Sequence, residues 1–329
     1  MKILRHGAER RRKDEKMTKR SKIILWSAVG FVALVLVCCV VLFFVARSIY
    51  DGSFNYRCET DESKAYEVSD FEGLTRERHT FETYQGHTLV GYLYESERAA
   101  EKHAVVVFAH GMGGGGQTGY MDIFDMLTAS GYYVFAYDAT ANDESEGEVM
   151  GGLPQGFIDL DYAIDCAEGL DEIKDLPFVL MGYSWGGLSV TNVLNYHPEV
   201  KAVVSLAGWN ESMDLIDYVG CNMVGPIAKL LLPFASIHEY MMYGRYAFST
   251  SMKGFKNTDA EIMIVHSDDD TTIPIEYGYE KYYEKYGEDE RFTFKKYTGR
   301  DHSLLVDGEG KLDRALFGEI ISFFDEATK

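Results

Sequence analysis

Cysteine is scarce in this sequence, which contains five in 329 residues. Cys38 and Cys39 lie inside a long apolar run, and the other three form an odd set without the spacing of a metal site. A disulfide framework or a structural zinc site needs cysteines in even number and at characteristic spacings. No disulfide pairing is therefore predicted, and no metal ligand is expected among the cysteines.

Positive charge is also scarce, except at the N-terminus. The net charge is −20, yet residues 1–22 contain ten Lys or Arg against three Asp or Glu. The rest of the chain is consequently strongly acidic, and an acidic surface disfavours anionic ligands. The basic tail could bind nucleic acid, but a role in membrane orientation explains it more simply, so we expect no nucleic-acid partner.

Charged side chains are absent from residues 23–46, which are rich in Val, Leu and Phe. As a helix rising about 1.5 Å per residue, this run exceeds the ~30 Å hydrocarbon core of a bilayer. A cleaved signal peptide usually has a shorter apolar region that ends in small residues, whereas this run ends near Phe43 and Phe44. We predict a retained single-pass anchor in the cell membrane, with residues 1–22 as a cytoplasmic tail and the remaining chain outside.

Residues 47–75 are largely acidic and poorly periodic, which is typical of a linker. Residues 76–329 then alternate between short apolar runs and helical patterns. Strands are expected near 76–84, 88–94, 104–109, 132–137, 178–181, 202–206, 262–265 and 292–297, and helices near 120–130, 155–169, 185–197, 275–286 and 311–326. This alternation, with an antiparallel hairpin in front, predicts an α/β fold with a mostly parallel, doubly wound sheet covered by helices.

One connection is much longer than the others. Residues 209–258 separate two predicted strands, and they are rich in Met, Tyr and Leu. Long insertions in a domain of this kind are often lids or binding elements. We expect a helical cap over the active site that contacts an apolar substrate group, although ordinary helical packing would give the same composition.

A nucleophile motif follows the predicted strand 178–181. Gly182-Tyr183-Ser184-Trp185-Gly186 fits G-x-S-x-G between a strand and a helix, as the motif requires. Side chains at Gly182 and Gly186 would collide with neighbouring backbone at so tight a turn. The turn would lift the Ser184 hydroxyl clear of the sheet, and we predict that Ser184 is the nucleophile.

A second turn, His110-Gly111-Met112-Gly113, ends the predicted strand 104–109. Such a turn can aim a backbone N–H at the oxyanion of a tetrahedral intermediate, so Met112 and Trp185 are predicted to supply the two donors. The Gly113–Gly116 run lacks the Lys-Ser/Thr ending and the glycine spacing of nucleotide-binding loops, which argues against a phosphate site.

A serine hydroxyl needs a base, and the base needs a carboxylate that fixes its tautomer. Of the nine histidines, only His302 lies in a loop between the last predicted strand and the last predicted helix. His266 ends a predicted strand and His238 lies in the insertion, so both are expected to be structural. Asp268, Asp269 and Asp270 follow the strand 262–265, and Asp270 is favoured by its spacing from His266 and Pro274. The predicted order is Ser184, Asp270, His302.

These residues resemble those of the α/β-hydrolase superfamily, especially its esterase, monoacylglycerol lipase and serine aminopeptidase-like branch, over about residues 76–326. Such relatives often carry D-x-R-G-x-G-x-S-x-G after the fourth strand. Here Asp138, Ser145 and Gly147 remain, while the Arg and the first two Gly are replaced by Thr140, Ala141 and Asp143.

The resemblance implies acyl transfer to water through an acyl-enzyme, without a metal or an organic cofactor. The Met- and Tyr-rich cap favours a small-molecule ester as substrate. Cleavage of an amide or a short peptide remains an alternative, as do acyl transfer to an alcohol and a membrane-tethered binding protein that has lost catalysis.

Overall fold

The N-terminal helix α1 spans Lys19–Ser53 without a break in the computed structural model, which describes residues 19–329. It is long and apolar enough to cross a membrane, and most of its side chains are exposed. Length and composition are consistent with the predicted anchor, although a signal sequence would have the same character. The basic residues 1–18 lie outside the described part of the chain.

An eight-stranded sheet forms the centre of the domain, with the strand order β1-β2-β4-β3-β5-β6-β7-β8. β1 and β2 form an antiparallel hairpin, β2 pairs antiparallel with β4, and the remaining neighbours are parallel. The strands are β1 Leu74–Glu82, β2 Thr88–Ser96, β3 Ala104–Ala109, β4 Tyr132–Asp138, β5 Phe178–Tyr183, β6 Ala202–Leu206, β7 Glu261–Ser267 and β8 Phe292–Tyr297. The predicted mostly parallel sheet is confirmed.

Helices cover both faces of this sheet, because the central strands are apolar on both sides. In β3, Val105 and Val107 face one core while Val106 and Phe108 face the other. The helices of the domain outside the 209–258 insertion are α2 Met121–Ala129, α3 Gln155–Glu168, α4 Trp185–Asn192, α8 Tyr279–Tyr286 and α9 Arg314–Ala327. α2 and α9 lie on one face, and α3, α4 and α8 lie on the other.

The insertion between β6 and β7 is helical, as the sequence predicts. It contains α5 Ser212–Val224, α6 Leu232–Tyr243 and α7 Ser251–Asn257, together with short 3-10 turns at Pro226–Leu230 and Gly244–Phe248. We call residues 209–258 the cap. Its α6 packs against the last turns of α1.

The segment that the sequence presents as a linker packs against the domain. Phe54 and Cys58 are buried and Tyr56 is partly buried, so alternate residues face inward. Cys58 also exchanges two backbone hydrogen bonds with the loop that follows β4, through Ala141 and Asp143. The acidic composition of 51–72 hides this short alternating pattern, and only the intervening residues are solvated.

Candidate active site

The turn between β5 and α4 holds Ser184 in a strained backbone conformation. Its φ of 57° and ψ of −115° are unusual for a residue with a side chain. A Cβ at Gly182 would lie 2.2 Å from the carbonyl oxygen of Gly186, and one at Gly186 would lie 1.9 Å from that of Ala109. The tight turn therefore requires both glycines, for the steric reason that the sequence suggests.

Ser184, His302 and Asp270 lie together at the carboxyl edge of the sheet. His302 Nε2 is 2.8 Å from the Ser184 hydroxyl oxygen, and His302 Nδ1 is 2.7 Å from Asp270 Oδ2. The three side chains come from the loops after β5, β7 and β8. Because parallel strands end at the same edge, residues far apart in sequence meet there.

Asp270 is held as a carboxylate by several donors. Its side chain is fully buried, and burial alone would raise its pKa. Hydrogen bonds from His266, His302 and the backbone N–H of Ile273 outweigh that effect and lower the pKa well below its usual range. Asp270 Oδ1 also accepts from the N–H of Thr272 at 2.9 Å. The carboxylate is therefore charged and fixed in orientation.

The loops after β7 and β8 are joined by further hydrogen bonds. Asp301 accepts from the backbone N–H of Thr271 at 2.8 Å, and Asp269 accepts from that of Gly299 at 2.9 Å. These contacts hold the histidine loop beside the aspartate loop. The three consecutive aspartates thus differ: Asp270 contacts the histidine, whereas Asp268 and Asp269 bind the loop around it.

Tyr183 is a neighbour of the site that sequence reasoning missed. Its hydroxyl donates to the carbonyl oxygen of His302 at 2.7 Å, and the two rings are 5.3 Å apart. It occupies the variable position before Ser184 in the motif, so the motif itself gives no signal for it. Tyr183 restrains the His302 backbone from the side of the nucleophile turn.

The turn after β3 is built around a buried histidine. His110 Nε2 accepts from the N–H of Ala139 at 3.0 Å, and its Nδ1 lies 2.9 Å from the carbonyl oxygen of Gly111. Burial lowers the pKa of His110, so the ring is neutral with its proton on Nδ1. Tyr120 accepts from the N–H of Gly111 at 3.1 Å. His110 and Gly111 therefore fix the backbone that leads into Met112.

The two predicted oxyanion donors have free amides. Within residues 19–329, no hydrogen bond engages the backbone N–H of Met112 or of Trp185. Trp185 is the first residue of α4, where a helix leaves its N–H groups without internal partners. Both amides can therefore serve an external acceptor.

An apolar cavity of about 310 Å³ lies beside Met112. Met112 and Leu153 line it on the side of the sheet, and Leu153 also accepts a hydrogen bond from the indole of Trp185 at 2.9 Å. The other walls come from the cap and from α1. This volume is at the lower end of the range for pockets that bind small molecules.

The loop after β4 keeps the backbone shape that glycines usually provide. Ala141 and Asp143 replace two glycines of the related motif, and both have positive φ, of 60° and 37°. Asp143 Oδ2 accepts from the hydroxyl of Thr60 at 2.6 Å and from the N–H of Gly116 at 3.0 Å. These contacts hold the loop beside the glycine run after β3, in a conformation that most side chains disfavour.

Comparisons with known proteins concern the family and the fold. Residues 100–240 match the family model described as serine aminopeptidase, S33. No curated protein matches the sequence.

Several solved structures share the fold. An esterase of Pyrococcus furiosus is 14% identical with a TM-score of 0.60, over 83% of this chain and 100% of that chain. An acylaminoacyl peptidase of Pyrococcus horikoshii is 18% identical with a TM-score of 0.60, over 79% of this chain and 42% of that chain. An alpha/beta hydrolase, GrgF from Penicillium sp. sh18, is 15% identical with a TM-score of 0.54, over 77% of this chain and 99% of that chain. At these identities the similarity concerns the fold.

Proposed function

We propose that this chain is a serine hydrolase of the α/β-hydrolase superfamily and that it cleaves carboxylic esters. The match of residues 100–240 to the serine aminopeptidase model and the fold shared with an esterase support this proposal. The observation that carries this proposal is the pair of hydrogen bonds from His302, 2.8 Å to Ser184 and 2.7 Å to Asp270. A serine becomes a nucleophile when a neighbouring base accepts its proton and a carboxylate orients that base. The proposed roles are nucleophile for Ser184, general base for His302 and orienting acid for Asp270.

In the first half-reaction, the Ser184 oxygen attacks the ester carbonyl while His302 Nε2 takes the hydroxyl proton. The charge on His302 is stabilised by the buried carboxylate of Asp270. The backbone N–H groups of Met112 and Trp185 would bind the oxyanion, and each such donor typically stabilises the transition state by about 3 kcal/mol. His302 then gives its proton to the leaving alcohol.

In the second half-reaction, His302 takes a proton from the water that attacks the acyl-enzyme. His302 then returns this proton to the Ser184 oxygen as the bond to the acyl group breaks and the acid leaves. Each proton transfer in the two half-reactions passes through His302. The proposed mechanism therefore uses no metal and no organic cofactor.

The apolar cavity beside Met112 supports an ester with a hydrocarbon acyl group. The second candidate is an amide or short-peptide hydrolase, and it is favoured by the match to the serine aminopeptidase model and by the similarity to an acylaminoacyl peptidase. p-Nitrophenyl esters of varied chain length, assayed beside aminoacyl amides, separate the two. Faster turnover of the amides would overturn the ester proposal.

A non-catalytic binding protein with the same fold is the third candidate. A fluorophosphonate probe should label the full-length protein covalently, and Ser184→Ala should abolish the label because its oxygen is the proposed point of attachment. Ser189→Ala is a matched control on the same helix, since the buried Ser189 hydroxyl bonds Trp185 in the helix. A folded wild-type protein that takes no label would contradict the enzyme proposal.

We also propose that α1 anchors the protein in the cell membrane, with the N-terminus in the cytoplasm and the catalytic domain outside. The uncharged run 23–46 and the basic residues before it support this topology.

A further inference from the structure

The cavity beside the site has two walls that come from different parts of the chain. One wall belongs to the cap and includes Leu215, Val219, Ala228 and Ala235. The opposite wall belongs to the last turns of α1, the proposed anchor, and consists of Ala46, Ile49, Tyr50, Ser53 and the following Phe54. The N-terminal helix is thus part of the cavity as well as a membrane element.

Polar contacts fix this helix against the cap. The Tyr50 hydroxyl donates to Glu239 Oε1 at 2.6 Å, and His238 Nε2 lies 2.5 Å from Asp51 Oδ1. Glu239 is fully buried, so the contact excludes water. The α1 wall is therefore held in a defined position beside the cavity.

The same contacts place the cap near the membrane surface. Counting from Ile23, about 20 helical residues cross the hydrocarbon core, and such a span ends close to Phe43. The ring of Phe43 is 6.3 Å from that of His238, and Ala46 is buried. A cap that contacts α1 at Phe43 and Ala46 must lie at the level where the helix leaves the bilayer.

The outer surface of the cap suits such a position. Among the described residues beyond α1, the majority of the exposed large apolar side chains belong to the cap. The exceptions are Tyr84, Val149 and Tyr283. The cap residues are Val219, Met223, Val224, Ile227, Leu230, Ile237, Tyr240, Met241 and Phe248. So many exposed apolar side chains are unusual on a surface that meets only water, and Val219, Met223 and Val224 among them also line the cavity beside α1.

We propose that α1 forms one wall of the acyl pocket and that the acyl chain of the substrate enters this pocket directly from the bilayer. The inference rests on the proposed ester hydrolysis, and it names a membrane-resident, long-chain ester as the substrate class. The acyl chain would lie between α1 and α5, with its carbonyl end beside Met112. The carbonyl would then reach Ser184 without crossing water.

The pocket wall is tested with Ala46→Phe in the full-length protein in detergent micelles. The larger side chain fills the cavity from the α1 side, so the ratio of kcat/KM for p-nitrophenyl dodecanoate to that for the acetate should fall by about tenfold or more. Ala33→Phe is the matched control, since Ala33 lies on the same helix and is exposed. It should leave the ratio at the wild-type value.

An unchanged ratio in a folded Ala46→Phe protein would overturn the proposal. If that variant does not fold, Ile49→Ala decides, because it removes a half-exposed side chain from the same wall. It should shift the preferred acyl chain to greater length, and an unshifted preference would also overturn the proposal. A wild-type protein that neither hydrolyses esters nor reacts with fluorophosphonate would instead contradict the underlying enzyme function.

Access from the bilayer is tested with the full-length protein reconstituted into phosphatidylcholine vesicles that contain the ester in the same bilayer. The double variant Ile227→Glu and Met241→Glu should lower the hydrolysis of the vesicle ester relative to the same ester in detergent micelles, because charge on the patch opposes insertion. Tyr283→Glu, at an exposed apolar position outside the cap, is the control. Equal loss from vesicles and micelles, or no loss, would contradict entry from the membrane.

Discussion

Asp270 shows how one carboxylate among three neighbours acquires a distinct environment. Its side chain is fully buried and contacts His302, whereas Asp268 is exposed and accepts from the hydroxyl of Thr298. Replacing the carboxylate of such a triad with an amide preserves the shape and favours the wrong histidine tautomer.

We predict that Asp270→Asn lowers kcat by roughly 10⁴-fold, while Asp268→Asn stays close to wild type. Turnover of a short ester measures both variants, and thermal unfolding checks that both fold. Similar activity in the two variants would contradict the role proposed for Asp270.

His197 forms a second charged cluster, away from the proposed active site. Burial alone would lower the pKa of His197, but hydrogen bonds to Asp161 and Glu199, each 2.8 Å, raise it to about 9. Because the folded pKa lies above the ordinary value of 6.5, the stabilisation is complete below pH 6.5. It is lost as the pH rises through about 9.

Accordingly, the melting temperature of wild type should fall across this window more steeply than that of His197→Gln. His87→Gln, at the hairpin turn, should behave as wild type. If the melting temperatures of wild type and His197→Gln fall equally with pH across this window, a stabilising charge on His197 is contradicted.

The residues of the proposed site were predictable from sequence because each stands at a motif or at a strand end. Ser184, His302 and Asp270 were found in this way, and the structure brings them together. Tyr183 and the donor from His266 were not found. The Tyr183 contact joins β5 to the loop after β8, and the His266 contact depends on how the loop after β7 folds back on its own strand.

At the scale of elements, the contact between α1 and α6 contains a buried acid. Burial raises the pKa of Glu239 to about 8, although the hydrogen bond from Tyr50 opposes the shift. The folded protein therefore holds a proton that the unfolded chain releases near pH 4.5. The contact loses stability as the pH rises from that value through about 8.

Glu239→Gln keeps an acceptor for Tyr50 and removes the ionisation. We predict that it raises the melting temperature at about pH 8 and flattens the pH dependence below that value. Glu284→Gln, an exposed position on α8, is the control. A lower melting temperature for Glu239→Gln than for wild type at that pH would contradict a buried, neutral acid.

The sequence predicted most of the elements because apolar runs and helical periodicity are local signals. The strands at 104–109, 202–206 and 292–297 agree with the structure residue by residue. The segment after α1 was less predictable, since Phe54 and Cys58 are buried by partners elsewhere in the chain. A pattern of two or three alternating residues is too short to separate from a linker.

For the whole molecule, the charge distribution predicts a topology. Residues 1–22 carry ten Lys or Arg against three Asp or Glu, and such a bias keeps an N-terminus in the cytoplasm. Protease added to intact cells should degrade the domain and spare an N-terminal epitope tag. Protection of the domain until the cells are lysed would reverse the proposed orientation.

Helix α1 runs unbroken from Lys19 to Ser53 and is clamped to α6 by Tyr50 and Asp51. In a spanning protein this continuity removes the hinge that would let the domain swing away from the lipid. The opening to Ser184 would stay at one height above its own leaflet, so esters carried by a facing vesicle or a neighbouring cell lie beyond its reach.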